Sequence, residues 1–267
     1  MTIFITAILP VIVLFIAFSV RFTFWRRTLD GIPVLMYHRI TDEKPQSKLK
    51  KLLVTPDRFA RQMNYLHIHG YSTVTIDEFL SILKDGWDPS FKPAIITFDD
   101  GYKDNYTFAF PILKQYGFKS IIFLVTKYIG GSNLWDKAKG EPVTPLLSWS
   151  EILEMKEYGI EFGSHGHSHS NLTEISEREQ AFELEESKRV LEKGLHQEIK
   201  VFSYPFGLFN ESTLEKVDKS GYSVAFTTKP GKNNRGDDLN RLKRIIVKRS
   251  DNMLDFILKL KKAKSRL

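Results

Sequence analysis

The chain has 267 residues, 42% of them hydrophobic and 27% charged, the proportions of a globular protein rather than a disordered one. It contains no cysteine, which excludes a disulfide framework and thiolate metal ligands alike. The net charge of +7 lies wholly beyond residue 20 and crowds at Lys259, Lys261, Lys262, Lys264 and Arg266. That cluster reads as a solvated helix face, with anionic lipid as a second reading. No nucleic-acid-binding motif accompanies it, so nucleic acid is not an expected partner.

Residues 2–20 form a 19-residue stretch without a charge, followed by Arg21, Trp25, Arg26 and Arg27. Such a run is long enough to cross a bilayer core, and the aromatic and basic collar suits its interface. It lacks the basic start and small-residue cleavage site of a signal peptide, so residues 1–28 are expected to be an uncleaved, single-pass membrane anchor. The arginines would place the following domain, 29–267, on the cytoplasmic side.

Beyond the anchor, strand and helix signals alternate. Apolar runs at 33–37, 94–98, 120–125, 160–164, 201–204, 224–227 and 244–247 read as strands. Helices are expected at 57–69, 76–83, 104–116, 151–158, 176–193, 212–219 and 251–262. Thr55-Pro56 opens the first of these helices. Ser176 and Glu179 have the spacing of a capping box. About seven short apolar strands alternating with helices predict a parallel sheet, closed into an α/β barrel, with an open doubly wound sheet as the alternative. In a barrel the chemistry sits at the strand C-termini, where His38, Asp99, Asp100, His165 and Tyr204 fall. The irregular piece 126–148, with Gly130-Gly131, is a candidate substrate-binding loop.

Two fragments carry the chemistry. Thr97-Phe98-Asp99-Asp100-Gly101-Tyr102 ends a buried strand in adjacent carboxylates, and His165-Gly166-His167-Ser168-His169 follows another strand. One carboxylate and two imidazoles make a three-ligand site with room for water, as a hydrolytic Zn²⁺ requires; Co²⁺, Ni²⁺ and Mn²⁺ suit the same set. The second carboxylate is then free to act as a base.

These fragments resemble the first and second motifs of the NodB-homology polysaccharide deacetylases (carbohydrate esterase family four). Phe202-Ser203-Tyr204-Pro205-Phe206-Gly207 resembles the third motif, and Leu147-Ser148-Trp149 the Trp-bearing fourth. The matches run from about Pro33 to Ile257. The resemblance implies a distorted (β/α)7 barrel and removal of an N-acetyl or N-formyl group from an amino sugar of a polysaccharide or glycan. It also implies work on exported polymer, against the orientation that the arginines suggest. It assigns Asp99 as base and Asp100, His165 and His169 as metal ligands. The Phe206 N–H becomes the oxyanion donor, with Trp149 and Tyr204 as candidate pocket walls. His167 is a reserve ligand; His67 and His69 read as surface residues.

The chain departs from the common pattern twice. No histidine follows His196, so the usual C-terminal acid is missing. Met36-Tyr37-His38-Arg39 instead resembles the circularly permuted branch typified by poly-N-acetylglucosamine deacetylases, in which the acid comes early; His38 is the candidate. Ser203 also stands where many members carry an arginine that pairs with the base, and Arg244 is a possible substitute. Two other functions are weighed beside N-deacetylation of a glycan. One is deacylation of a lipid-linked sugar at a membrane face; the other is carbohydrate binding without catalysis.

Overall fold

The computed structural model describes residues 2–21, 27–42 and 48–265, giving the backbone alone for 2–11 and 138–139. In chain order the elements are α1 (Thr2–Arg21), β1 (Val34–Tyr37), β2 (Arg39–Ile40), β3 (Leu53–Val54), α2 (Pro56–Ile68), β4 (Tyr71–Thr73) and α3 (Ile76–Asp85). Then come β5 (Lys92–Phe98), α4 (Phe110–Tyr116), β6 (Ile121–Leu124), α5 (Trp149–Tyr158), β7 (Glu161–Ser164), α6 (Glu177–Leu195) and β8 (Val201–Ser203). The chain closes with α7 (Glu211–Lys219), β9 (Val224–Phe226), β10 (Ile245–Ile246) and α8 (Met253–Lys262).

The main sheet is parallel, in the order β10-β1-β5-β6-β7-β8-β9, with β4 paired to the start of β5. Its seven-strand path uses the seven runs predicted from sequence. The expected barrel does not close. β9 and β10 are only three and two residues long, and among the described residues β9 makes one isolated bridge, from Phe226 to Leu242, which lies ahead of β10. The result is a parallel half-barrel.

Strand alternation divides the apolar residues into two layers. Val34, Ile95, Ile121, Phe123, Val201 and Val224 form one cluster with Phe79 and Leu83 of α3. Leu35, Ile96, Phe98, Ile122, Phe162 and Phe202 form the other, against the surrounding helices. The first cluster is the barrel interior. Gly163 confirms this, because a Cβ there would lie 2.7 Å from the Phe123 ring and 2.8 Å from Val201. α3 plugs the lower end, where the Ile76 N–H donates to Glu161 at the start of β7 (2.9 Å). The opposite end, at the strand C-termini, is left for the site.

Most helix ends obey their capping signals. Ser176 and Glu179 form the predicted box on α6, as Ser148 and Glu151 do on α5. The helix predicted over 104–116 is split: a wide π turn, Asn105–Ala109, precedes α4. Pro111 lacks the N–H that would continue an ordinary ladder, and the Phe110 N–H reaches Asn105 instead.

The anchor expected at 2–20 finds no support. Among the described residues no helix is long and apolar enough to cross a membrane. In α1, Leu14 and Phe15 are 69% and 71% exposed. Trp25, Arg26 and Arg266 lie outside the described residues. The folded body is joined from Leu29, whose N–H donates to the Lys261 carbonyl (2.8 Å).

Candidate active site

His38 and Asp99 follow β1 and β5 by one residue, in the inward register of Val34 and Ile95. His165 and Ser203 occupy the same register on β7 and β8. Period-two alternation therefore delivers these side chains into the upper mouth of the half-barrel. Asp100 would point away on a regular strand. It turns inward because its backbone is left-handed (φ 74°), as are His169 (64°) and Phe206 (60°). Such conformations cost of order 1–3 kcal/mol each and cluster where the surrounding structure enforces them. Gly101 permits the first turn: a Cβ there would meet Leu124 at 2.6 Å.

Asp100, His165 and His169 converge so that one ligand atom from each lies within 4.8 Å of the others, and all three are buried. Asp100 Oδ1 stands 3.5 Å from His165 Nε2 and 3.2 Å from His169 Nε2, and it accepts no hydrogen bond among the described residues. An orphaned buried carboxylate oxygen facing two imidazole nitrogens fits a divalent cation. His165 Nδ1 lies 2.7 Å from the Ser203 carbonyl, which accepts its proton and leaves Nε2 with a lone pair for the ion. Burial lowers the His165 pKa, against the pull of Asp99, so the neutral, ligating form is favoured. Burial raises Asp100, and the Asp99 and Asp136 charges add to this, while His38 and His165 oppose it.

The loop between His165 and His169 is held from below by Glu183 of α6. Its Oε2 accepts the His167 and Ser168 N–H groups, both at 2.8 Å, and its Oε1 accepts the Ser168 hydroxyl. This turn overrules the reserve role of His167, which assumed an extended segment. The His167 ring bonds Thr126 Oγ1 (3.0 Å) and packs on Phe182, away from the cluster.

Asp99 is clamped by Arg244. The guanidinium donates to both carboxylate oxygens, Nη1 to Oδ1 at 2.6 Å and Nη2 to Oδ2 at 2.7 Å, and also to Ser203 Oγ (2.9 Å) and the Thr227 carbonyl (3.0 Å). Ser203 thus leaves room for an arginine arriving from the other end of the chain. Burial alone would raise the Asp99 carboxyl, but the Arg244 charge, helped by His165, outweighs it and holds the pKa at about 2. The depressed carboxyl stabilises the fold above its unfolded value near 3.8. That stabilisation, on the order of 2 kcal/mol, is lost as pH falls from there through the folded value. Arg244→Met strands the buried carboxylate, so urea unfolding at pH 7 should report a loss of about 3–5 kcal/mol. The deficit should shrink toward pH 3, where the stranded carboxyl is protonated; an equal deficit at both pH values would mean lost packing rather than lost charge.

His38 lies half-buried on the wall of a cavity of about 540 Å³. The same cavity is lined by Asp99, Asp100, His165, His169 and Phe206, and its size is usual for a small-molecule site. Burial lowers the His38 pKa, with Asp100 and Asp99 pulling upward. Its backbone is fixed by the turn after β5: Asn105 Nδ2 donates to the His38 carbonyl (2.8 Å), and Asp104 accepts from Arg39 (2.6 Å) and the Ile40 N–H (3.2 Å).

Two predicted wall residues are elsewhere. Tyr204 is fully buried, with its hydroxyl on the Asn240 carbonyl (3.0 Å) and its ring against Phe202 and Phe209, because Pro205 turns the chain only after it. Trp149 opens α5 and packs over Gly194 of α6; a Cβ there would meet the indole at 2.2 Å. The indole at the site is Trp135, stacked on His169 with centroids 5.0 Å apart. It comes from the irregular segment 126–148, which also brings Asp136 and Glu141 to the cavity wall. His69 stacks on Tyr65 and His67 packs at a tilt against Tyr116, both outside the cavity lining.

Residues 87–225 match the family model described as polysaccharide deacetylase. The chain is 36% identical over 216 residues to the Bacillus subtilis protein YxkH, itself named only provisionally as a polysaccharide deacetylase, covering 81% of this chain and 71% of that protein. It is 28% identical over 232 residues to the poly-beta-1,6-N-acetyl-D-glucosamine N-deacetylase of Staphylococcus epidermidis (80% and 78% covered). Among solved structures, the Streptococcus pyogenes deacetylase PplD in complex with acetate superposes with a TM-score of 0.75 at 29% identity, over 88% of this chain and 99% of that one. The chain belongs to the polysaccharide deacetylase family.

Proposed function

We propose that this chain hydrolyses the N-acetyl group of an amino sugar within a glycan, using a divalent ion, with zinc the first choice. The observation that carries the reading is the convergence of Asp100, His165 and His169 with a separate, ionised Asp99 and an imidazole, His38, around one cavity. A bound ion supplies Lewis-acid polarisation of the acyl carbonyl and makes a water more acidic. Asp99, ionised at every working pH and aimed by Arg244, accepts the proton of the attacking water. The left-handed backbone at Phe206 presents the third-motif turn at the cavity rim, where its N–H serves the developing oxyanion. His38 protonates the departing amine.

Acetate release is the test, with β-1,6- and β-1,4-linked N-acetylglucosamine oligomers compared against O-acetylated xylo-oligomers. The expected result is release from at least one N-acetylated series at a rate well above that from the esters. Release from the O-acetylated series alone would contradict the amide assignment.

A further inference from the structure

The site cavity does not end at the reacting centre. Thr228 and Ile246 belong both to its wall and to that of a neighbouring cavity of about 430 Å³. This second cavity is bounded by Thr228, Pro230, the turn Lys248–Asp251, Lys259 of α8 and the residues Ala263–Ser265 that follow that helix. Its charge is one-sided. Lys259 is buried and already satisfied, donating to Asp251 and to the Ile246 carbonyl (2.7 Å), so those two charges cancel locally. Lys248 and Lys264 are exposed on the same wall, and neither pairs with a carboxylate among the described residues. The C-terminal carbonyls of α8 return about half a negative charge to this wall, well short of two ammonium groups.

From this geometry we infer that the second cavity is a subsite for an anionic substituent, a carboxylate or a phosphate, on the glycan unit beside the one deacetylated. The inference rests on the N-deacetylase reading and narrows its substrate class to acidic glycans. A concave subsite continuous with the reacting centre suits a neighbouring sugar of the same chain better than a flat lipid surface. Two uncompensated lysines at a solvent-open rim act by long-range attraction, so their effect belongs in KM rather than kcat and weakens with salt.

The test uses a neutral N-acetylglucosamine tetramer and the same tetramer oxidised to carboxylate at one terminal C6, with both binding and acetate release measured. The full chain and its Lys248→Met/Lys264→Met variant are compared at about 20 and 300 mM salt. The expected result is tighter binding and a lower KM for the oxidised tetramer. The double variant should lose this preference by about 5–10-fold at low salt, with kcat and the neutral substrate unchanged. Equal binding of the two tetramers, or a double variant that weakens both alike, would overturn the subsite. A carboxylate preference in binding without any acetate release would sustain the subsite and overturn the N-deacetylase reading instead. Loss of phosphatidylglycerol-vesicle binding in the double variant, with tetramer discrimination intact, would assign the lysines to a membrane surface and overturn the glycan proposal.

Discussion

Asp99→Asn is expected to lower turnover by on the order of 10²–10⁴-fold while metal content stays at the native level. The amide keeps the shape of the carboxylate and can still accept from Arg244, but it cannot take a proton. A pKa of about 2 makes Asp99 a weak base in equilibrium terms. Its contribution therefore depends on the acidity that a bound ion gives to the attacking water. The effects of the substitution and of metal removal should consequently be far from additive: chelation should cost Asp99→Asn much less than it costs the native protein. Because Arg244 loses its counter-charge, the variant should also unfold more easily, by a few kcal/mol. Rates are then compared well below its Tm. A near-native rate would move the base elsewhere, and loss of metal would make Asp99 a ligand.

The second large effect is expected at His38. Leaving as an amide anion is prohibitive, so the nitrogen must be protonated as the C–N bond breaks. Burial lowers the His38 pKa, which makes its protonated form a stronger acid toward the amine. His38→Ala should slow amide hydrolysis by about 10²–10⁴-fold, with fold and metal content kept. An activated ester, whose leaving group needs no proton, should lose less than about tenfold. Comparing kcat on the amide and the ester measures this directly. Equal losses on the two substrates, or little loss on either, would remove His38 from the role.

Much of the architecture was legible because strand and helix periods leave local marks. The seven runs that build the half-barrel are short, apolar and bounded by turns, and Ser176 and Glu179 announced the start of α6 by their spacing alone. Closure was not legible: whether the last two strands meet is decided by a few residues of pairing, and here the one bridge from β9 falls on Leu242, short of β10. Strands β2, β3 and β4, of two or three residues, carry too little pattern to be read.

The side chains that gather at the cavity were likewise marked by motif, and His38 by its strand-end position. Their supports were harder to see, since they come from distant parts of the chain. Arg244 reaches Asp99 across 145 residues, and only the serine at position 203 hinted that an arginine was owed from elsewhere. Glu183 left a fainter sign. With Gln180 and Ser187 it puts three polar residues on the buried face of an amphipathic helix, a pattern that needs a partner to explain it. Trp149 and Tyr204 misled because an aromatic beside a motif residue can face either layer. The turn at Pro205 and the small Gly194 opposite Trp149 decide which, and neither is a local feature of the aromatic itself.

The central claim is that Asp100, His165 and His169 hold the ion on which hydrolysis depends. Elemental analysis of the purified protein, paired with acetate release before and after exhaustive chelation, tests it most directly. Close to one divalent ion per chain is expected, with loss of activity on chelation and recovery on adding back zinc, cobalt, nickel or manganese. His165→Ala is expected neither to retain the ion nor to recover. Full activity in metal-free protein, or a His165→Ala variant that keeps both ion and rate, would contradict it.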